Sequence, residues 1–279
     1  MTLVACGNKD EQAQNAEQQT FVSNSNNKNA DTRPGNRDWG DVSNLMKVDL
    51  PKGMSNRMVE YEAMTIYFNP SRHIPNCVIY ELTATEVSQA DGPKAERRYN
   101  YNFNADPQVS SSPEWWEYKN SDYDRGHMAP AMDMRFGAKP MKECFYMTNI
   151  CPQNHDLNEG EWRHMEEAIH SWGRSLKQLV IATGPIVGDS RETIGESDIT
   201  VPAKFYKVVY APRQKRAIAF VFKNEPTSVN WRRHATTVDE VERLTGFDFF
   251  AALPDSLENA VESKANINNW PEHRDQDFN

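Results

Sequence analysis

The chain has 279 residues, 38% hydrophobic and 10% aromatic, with a formal net charge of −9. That is enough apolar material for one large core or two small ones, which excludes a wholly disordered chain. No apolar run approaches the roughly 20 residues of a membrane-spanning helix, and four cysteines without a CxxC spacing exclude a dense disulfide framework or a zinc ribbon.

In chain order, Leu3-Val4-Ala5-Cys6-Gly7 resembles the lipobox of bacterial lipoproteins, where cleavage before the cysteine leaves it carrying lipid. Only five residues precede Cys6, too few for a complete signal peptide, so a chance match stays open. Residues 7 to 39 are mostly Asn, Gln, Asp, Glu, Lys, Ser and Ala and read as a flexible tether, which suits an anchored enzyme. The expectation is a bacterial cell-envelope protein, lipid-anchored at Cys6 or secreted, at the outer surface or in the periplasm. The domains expected are the lipobox-like tether 1–39, a folded unit 40–255 and an acidic polar tail 256–279.

Within the folded unit, Met58 to Phe68 and Cys77 to Glu86 read as strands joined by a turn at Asn69-Pro70. Residues 87 to 122 read as a long surface excursion, and Phe145 to Ile150 as a short strand stopped by Pro152. Trp162, Met165, Ile169, Trp172 and Leu176 paint one helical stripe, which is core packing and not a base-stacking face. On one continuous helix begun by Asn158, Glu166 lies about 80° around and His170 about 120°, both flanking the stripe. Leu179 to Val187 reads as a buried strand. Thr200 to Phe222 reads as a strand pair turned at Pro212 to Lys215, and Thr237 to Leu244 as a helix capped by Gly246. Strands and helices mix without βαβ alternation, so the expected class is α+β with a central antiparallel sheet flanked by helices.

The chemistry concentrates in Asp124-Arg125-Gly126-His127 and, beyond Thr148-Asn149-Ile150, in Asp156-Leu157-Asn158 and Glu166. A histidine offers a general base near neutral pH, an arginine a phosphate clamp, and an asparagine a hard oxygen ligand for a divalent cation. Charge does not forbid a polyanionic substrate. From Asp239 onward ten Asp/Glu face three Lys/Arg, whereas Asp122 to Lys177 holds nine acids, seven bases and four of the seven histidines.

The ordered set of Arg125-Gly126-His127, Thr148-Asn149-Ile150 with Pro152-Gln153, Leu157-Asn158 with Trp162 and Glu166, Thr183-Gly184-Pro185, Val201-Pro202 with Phe205-Tyr206-Lys207, and Leu244-Thr245-Gly246 with Phe249-Phe250 resembles the DNA/RNA non-specific endonuclease family. These are ββα-metal nucleases and include mitochondrial endonuclease G. The resemblance covers roughly residues 58 to 253. It implies the ββα-metal nuclease fold and a sugar-non-specific cut of DNA and RNA. Of the catalytic set, His127 would be the general base, Arg125 the phosphate clamp and Glu166 the holder of metal-bound water, with Asn149 supporting the geometry of the site. Asn158 would be the direct ligand of one Mg²⁺, with Mn²⁺ as the alternative, stabilising the leaving 3′ oxygen. Arg98 would help bind phosphate. Where the family has a leaving-group arginine this chain has His170, so His170 or Arg174 would take that substrate-binding role. A phosphodiesterase acting on small nucleotides and an inactive nucleic-acid-binding lipoprotein are the alternatives.

Overall fold

The computed structural model describes residues 41–272, so Cys6 and the tether lie outside the described residues. In chain order the elements are β1 (Val48–Asp49), β2 (Arg57–Glu60), β3 (Met64–Asn69), β4 (Ile74–Thr83), α1 (Ala84–Ala90), β5 (Tyr123–His127), α2 (Ala131–Met134) and α3 (Ala138–Cys144). There follow β6 (Ile150–Asn154), α4 (His155–Leu157), α5 (Arg163–Leu176), β7 (Gln178–Ile186), β8 (Thr193–Ile194), β9 (Ile199–Thr200), β10 (Lys204–Ala211) and β11 (Arg216–Lys223). The remainder is β12 (Ala235–Thr236), α6 (Val238–Thr245), β13 (Asp248–Phe249) and α7 (Asp255–Glu262).

Seven strands form one sheet in the order β12-β11-β10-β7-β4-β3-β2, every neighbouring pair antiparallel, as the α+β reading expects. Its central strands are apolar on both faces because both are covered. Leu179, Ile181, Phe205 and Val209 pack toward Trp162, Met165, Ile169 and Trp172 of the α5 side. Val180, Ala182, Tyr206 and Val208 pack toward Val238, Val241, Phe249 and Val261 of the α6 and α7 side. Period-two alternation between two apolar layers reads in sequence as an unbroken hydrophobic run.

Several expectations shift. The first strand splits into β2 and β3, and β4 stops at Thr83, whose side chain accepts from the Glu86 amide at 3.2 Å while Glu86 reaches back to the Thr83 amide at 2.8 Å. This capping box starts α1 inside the stretch expected to be strand. The strand expected over Phe145 to Ile150 is instead the end of α3 followed by a 3-10 turn at Met147–Asn149, and β6 begins only at Ile150 and runs through Pro152. Proline is tolerated there because β6 has a neighbour on one side only, β5, and a free edge needs no amide. The stretch 256–279, expected as a polar tail, carries most of α7 and then Trp270, which is buried against Trp172 with ring centroids 4.7 Å apart. Cys77, Cys144 and Cys151 are buried free thiols.

Candidate active site

The site is built on the antiparallel pair β5 and β6, followed by the short α4 and then α5. Register sets Arg125 opposite Pro152 and His127 opposite Ile150. Arg125 and His127 therefore share one face and Gly126 takes the other. On that other face lies the Gln153 side chain, and a Cβ at position 126 would sit 2.6 Å from the Gln153 Cβ. Glycine is required here by the close approach of two strands.

Beyond His127 the chain is held by Asn149. The Ala129 amide donates to its Oδ1 at 3.0 Å, and its Nδ2 donates to the carbonyls of Ala129 at 3.0 Å and Cys144 at 2.9 Å. Asn149 is fully buried and its amide is committed to backbone. Its place is behind the catalytic strand, where it fixes the turn after His127. The role expected of Asn149 is support of the site geometry, and its bonds run to the backbone that carries the site.

Asn158 could have been a helix cap, but Asn154 takes that position, its Oδ1 accepting from the Leu157 amide at 3.2 Å. The backbone leaves helical dihedrals at Gly160 (φ −105°, ψ −120°), so α4 and α5 are not one continuous helix. Asn158 Nδ2 donates to Asp124 Oδ2 at 2.9 Å, and the same oxygen lies 2.9 Å from His155 Nδ1. A carboxylate only accepts, so Asp124 turns the amide nitrogen of Asn158 toward itself and leaves Oδ1 for another partner. Asp124, Asn158, Glu159 and Glu166 all line one cleft of about 420 Å³, together with Arg98, Arg125 and His127. A few hard oxygen donors beside open space suit a hydrated Mg²⁺ or Mn²⁺, which keeps most of its waters.

The electrostatics of the cleft follow from burial. His127 lies 5.2 Å from the Phe103 ring and edge-on to Phe145 at 4.8 Å. Burial, then the guanidiniums of Arg98 and Arg125, push its pKa down to about 3, so the imidazole is neutral at pH 7. Both guanidiniums are held over aromatic faces, Arg98 at 4.2 Å from the Phe145 centroid and Arg125 at 4.7 Å from Phe103. On the far wall Glu166 Oε1 accepts from Lys207 Nζ at 2.7 Å. Burial raises the Glu166 carboxyl to about 7, and Lys207 acts against that rise. Lys207 is itself fully buried, donates to the Met128 carbonyl at 3.3 Å and sits 4.8 Å over the Trp162 ring.

The structure thus gathers Arg98, Arg125, His127, Asn158 and Glu166 into one cleft. It places His170 and Arg174 elsewhere. His170 is 2% exposed, with Nδ1 2.6 Å from Asp133 and Nε2 3.3 Å from Asp91, and Arg174 pairs with the same Asp91. Both are committed to carboxylates on α2 and at the end of α1, which corrects the expectation that they meet substrate. Glu166 and His170 stand about one turn apart on α5, and that turn carries His170 out of the cleft to where α1 and α2 pack. Arg163, at the start of α5, lines the cleft instead. Sequence reasoning also missed His155 and Phe103 as lining residues and Lys207 as the partner of Glu166. Lys207 left a signal, a lone cation inside the apolar run Phe205 to Tyr210 at the parity of Phe205 and Val209, which face α5.

The family model described as DNA/RNA non-specific endonuclease matches residues 41–256. The mitochondrial nuclease EXOG of Xenopus laevis is 30% identical over 217 residues, covering 70% of this chain and 58% of that one. The Nostoc nuclease is 28% identical over 75% of this chain and 78% of its own length, and the Serratia marcescens nuclease 27% over 77% and 83%. The matched part therefore spans little more than half of the vertebrate relatives and most of the bacterial ones. EndoG, solved in a complex with EndoGI, superimposes with a TM-score of 0.65 at 24% identity, covering 71% of this chain and 86% of EndoG, a likeness of fold.

Proposed function

The chain belongs to the DNA/RNA non-specific endonuclease family, and from that premise we propose that it is a metal-dependent endonuclease hydrolysing phosphodiester bonds in both DNA and RNA. The observation that carries this reading is the convergence of His127, Arg98, Arg125, Asn158 and Glu166 on one cleft. His127, neutral at pH 7, accepts the proton of an attacking water. The guanidiniums of Arg98 and Arg125 hold the scissile phosphate. Because those same cations depress the His127 pKa, an arriving phosphate offsets them and makes the imidazole a stronger base when substrate is present. Arg163 supplies a further guanidinium at the cleft.

Asn158 Oδ1 would hold a divalent cation, Mg²⁺ or Mn²⁺, which would supply neutralisation of the charge that builds up on the phosphate and on the leaving 3′ oxygen. Asp124 keeps Asn158 turned for that role. Glu166, held by Lys207, presents a carboxylate to water in the cleft. The charged groups around His127 address phosphate and none is required to meet a base edge or a 2′-hydroxyl, which supports cleavage without regard to sequence or sugar.

Plasmid digestion tests the proposal. Wild type converts supercoiled DNA to nicked and linear forms before small products appear, EDTA stops it, and His127→Ala or Asn158→Ala loses roughly 10²- to 10⁴-fold in rate. Undiminished cutting by His127→Ala, or in EDTA, refutes the mechanism. Turnover of dinucleotides with intact plasmid would make the protein a small-nucleotide phosphodiesterase instead.

A further inference from the structure

Beside the cleft, and sharing Arg98, Phe103 and Arg125 with it, lies a second hollow of about 480 Å³ walled by Tyr101 and Trp115. Trp115 is 37% exposed. It stands at the start of a 3-10 turn, Trp115–Tyr118, whose geometry is fixed from two sides. The Glu114 amide donates to Glu117 Oε1 at 2.9 Å, and the Ser197 amide donates to Glu117 Oε2 at 2.7 Å. The ring is therefore presented by a braced turn and does not need to be ordered by a ligand. Cations surround it. Lys119 Nζ lies 4.7 Å from its centroid and the Arg125 guanidinium 6.0 Å. Arg125 Nη1 also donates to the Trp115 carbonyl at 3.4 Å, which ties this wall to the phosphate clamp.

An aromatic face flanked by cations and continuous with a phosphate-binding cleft has the chemistry of a stacking platform for single-stranded nucleic acid. We propose that this hollow is a subsite for the unpaired base of a nucleotide next to the scissile phosphate, with Trp115 as the stacking residue. The inference rests on the endonuclease reading above and names a substrate preference within it. A strand whose phosphate sits between Arg98 and Arg125 has its neighbouring sugar at the wall the two hollows share, and the attached base then falls within reach of Trp115. A base inside a duplex is occupied by its own stack and cannot enter, so single strands bind more tightly than duplexes.

The test uses a fluorescein-labelled dT₁₂, the same 12-mer made wholly abasic, and a 12-base-pair duplex, with the full chain in EDTA so that nothing is cut. Anisotropy then reads binding whether or not the protein proves to be a nuclease, while plasmid nicking reads the endonuclease proposal separately. Wild type binds dT₁₂ roughly tenfold more tightly than the abasic strand, the size expected for one stacked base. Trp115→Ala abolishes that ratio, Trp115→Phe restores most of it, and Trp116→Ala, which alters an exposed ring outside the hollow, keeps it. In the presence of Mg²⁺ the Trp115→Ala defect on dT₁₂ appears in KM, with kcat within about twofold of wild type. An unchanged ratio of dT₁₂ to abasic affinity in Trp115→Ala, or a wild type that binds the two strands equally, overturns the subsite.

Discussion

Lys207 and Glu166 show how one buried pair tunes a site. Lys207 is fully buried, and a buried ammonium persists only with partners, which here are Glu166, the Met128 carbonyl and the Trp162 face. The carboxyl it faces is raised to about 7 by burial, and Lys207 keeps it from rising further. An acid with that pKa is ionised above neutrality and gains its proton as pH falls through about 7. The metal-free protein should therefore take up one proton on Glu166 near pH 7, and with a divalent cation in the cleft kcat/KM should fall at a lower pH, because the cation favours the carboxylate. Lys207→Met removes the cation that lowers the pKa, so the acid limb moves to higher pH. A pH profile of kcat/KM for wild type and Lys207→Met checks this, and an acid limb that stays put would remove Glu166 from the chemistry. His127 does not set this limb, because its own pKa lies near 3.

At the scale of elements, His170 ties α5 to α1 and α2. Its two ring nitrogens face Asp133 and Asp91, and Asp133 also accepts from the Tyr80 hydroxyl at 2.7 Å, which brings β4 into the same knot. Burial opposes the imidazolium, but the hydrogen bonds and charges of Asp133 and Asp91 prevail and raise its pKa to about 9. The ordinary value for histidine is about 6.5. The folded state thus binds the proton more tightly than the unfolded state does. The stabilisation is complete below about pH 6.5 and is lost as pH rises through about 9. Melting curves of wild type should drop between these limits by several degrees more than those of His170→Gln, since each kcal/mol moves Tm by roughly 2–4 °C in a chain of this size. Parallel curves for the two proteins would show that the imidazole is held neutral. Arg174 belongs to the same knot through Asp91, and replacing it should alter stability before it alters nucleic-acid binding.

For the whole molecule, the part beyond the family match closes the core. The family model ends at residue 256, yet Trp270 is 3% exposed and packs tilted against Trp172 of α5 at 4.7 Å, with the Arg216 guanidinium over its ring at 4.9 Å. Trp172 Nε1 donates to the Pro271 carbonyl at 2.9 Å, so the indole of the α5 stripe is satisfied only by the C-terminal segment. Trp270→Ala should cost about 3–5 kcal/mol, the usual loss for a buried large aromatic ring. Chemical denaturation measures it, and a loss under about 1 kcal/mol would show that the segment merely rests on the surface. Activity at low temperature should survive the substitution, because Trp270 lines neither hollow of the proposed site.

Much of this protein was legible from residues alone. Apolar runs located β7, β10 and β11, a helical stripe located α5 and a glycine cap located α6, because burial and capping write local patterns into the chain. The motif residues Arg125, His127, Asn158 and Glu166 were readable because they stand in short ordered motifs that resemble one family, and the structure adds the local constraints that hold them, a glycine that lets β6 pass close and a cap at Asn154. What the chain could not announce was pairing between distant segments. Whether His170 meets substrate or two aspartates depends on where α1 and α2 pack against α5, which has no local periodic signature. Lys207 becomes the partner of Glu166 only when β10 is laid beneath α5, and Trp115 becomes a wall of the site only when a polar excursion folds back beside β5. Local sequence determines the elements and their faces, since torsions and burial patterns act over a few residues; tertiary packing decides which charges meet, since desolvation and Coulomb forces depend on distances that sequence separation does not fix.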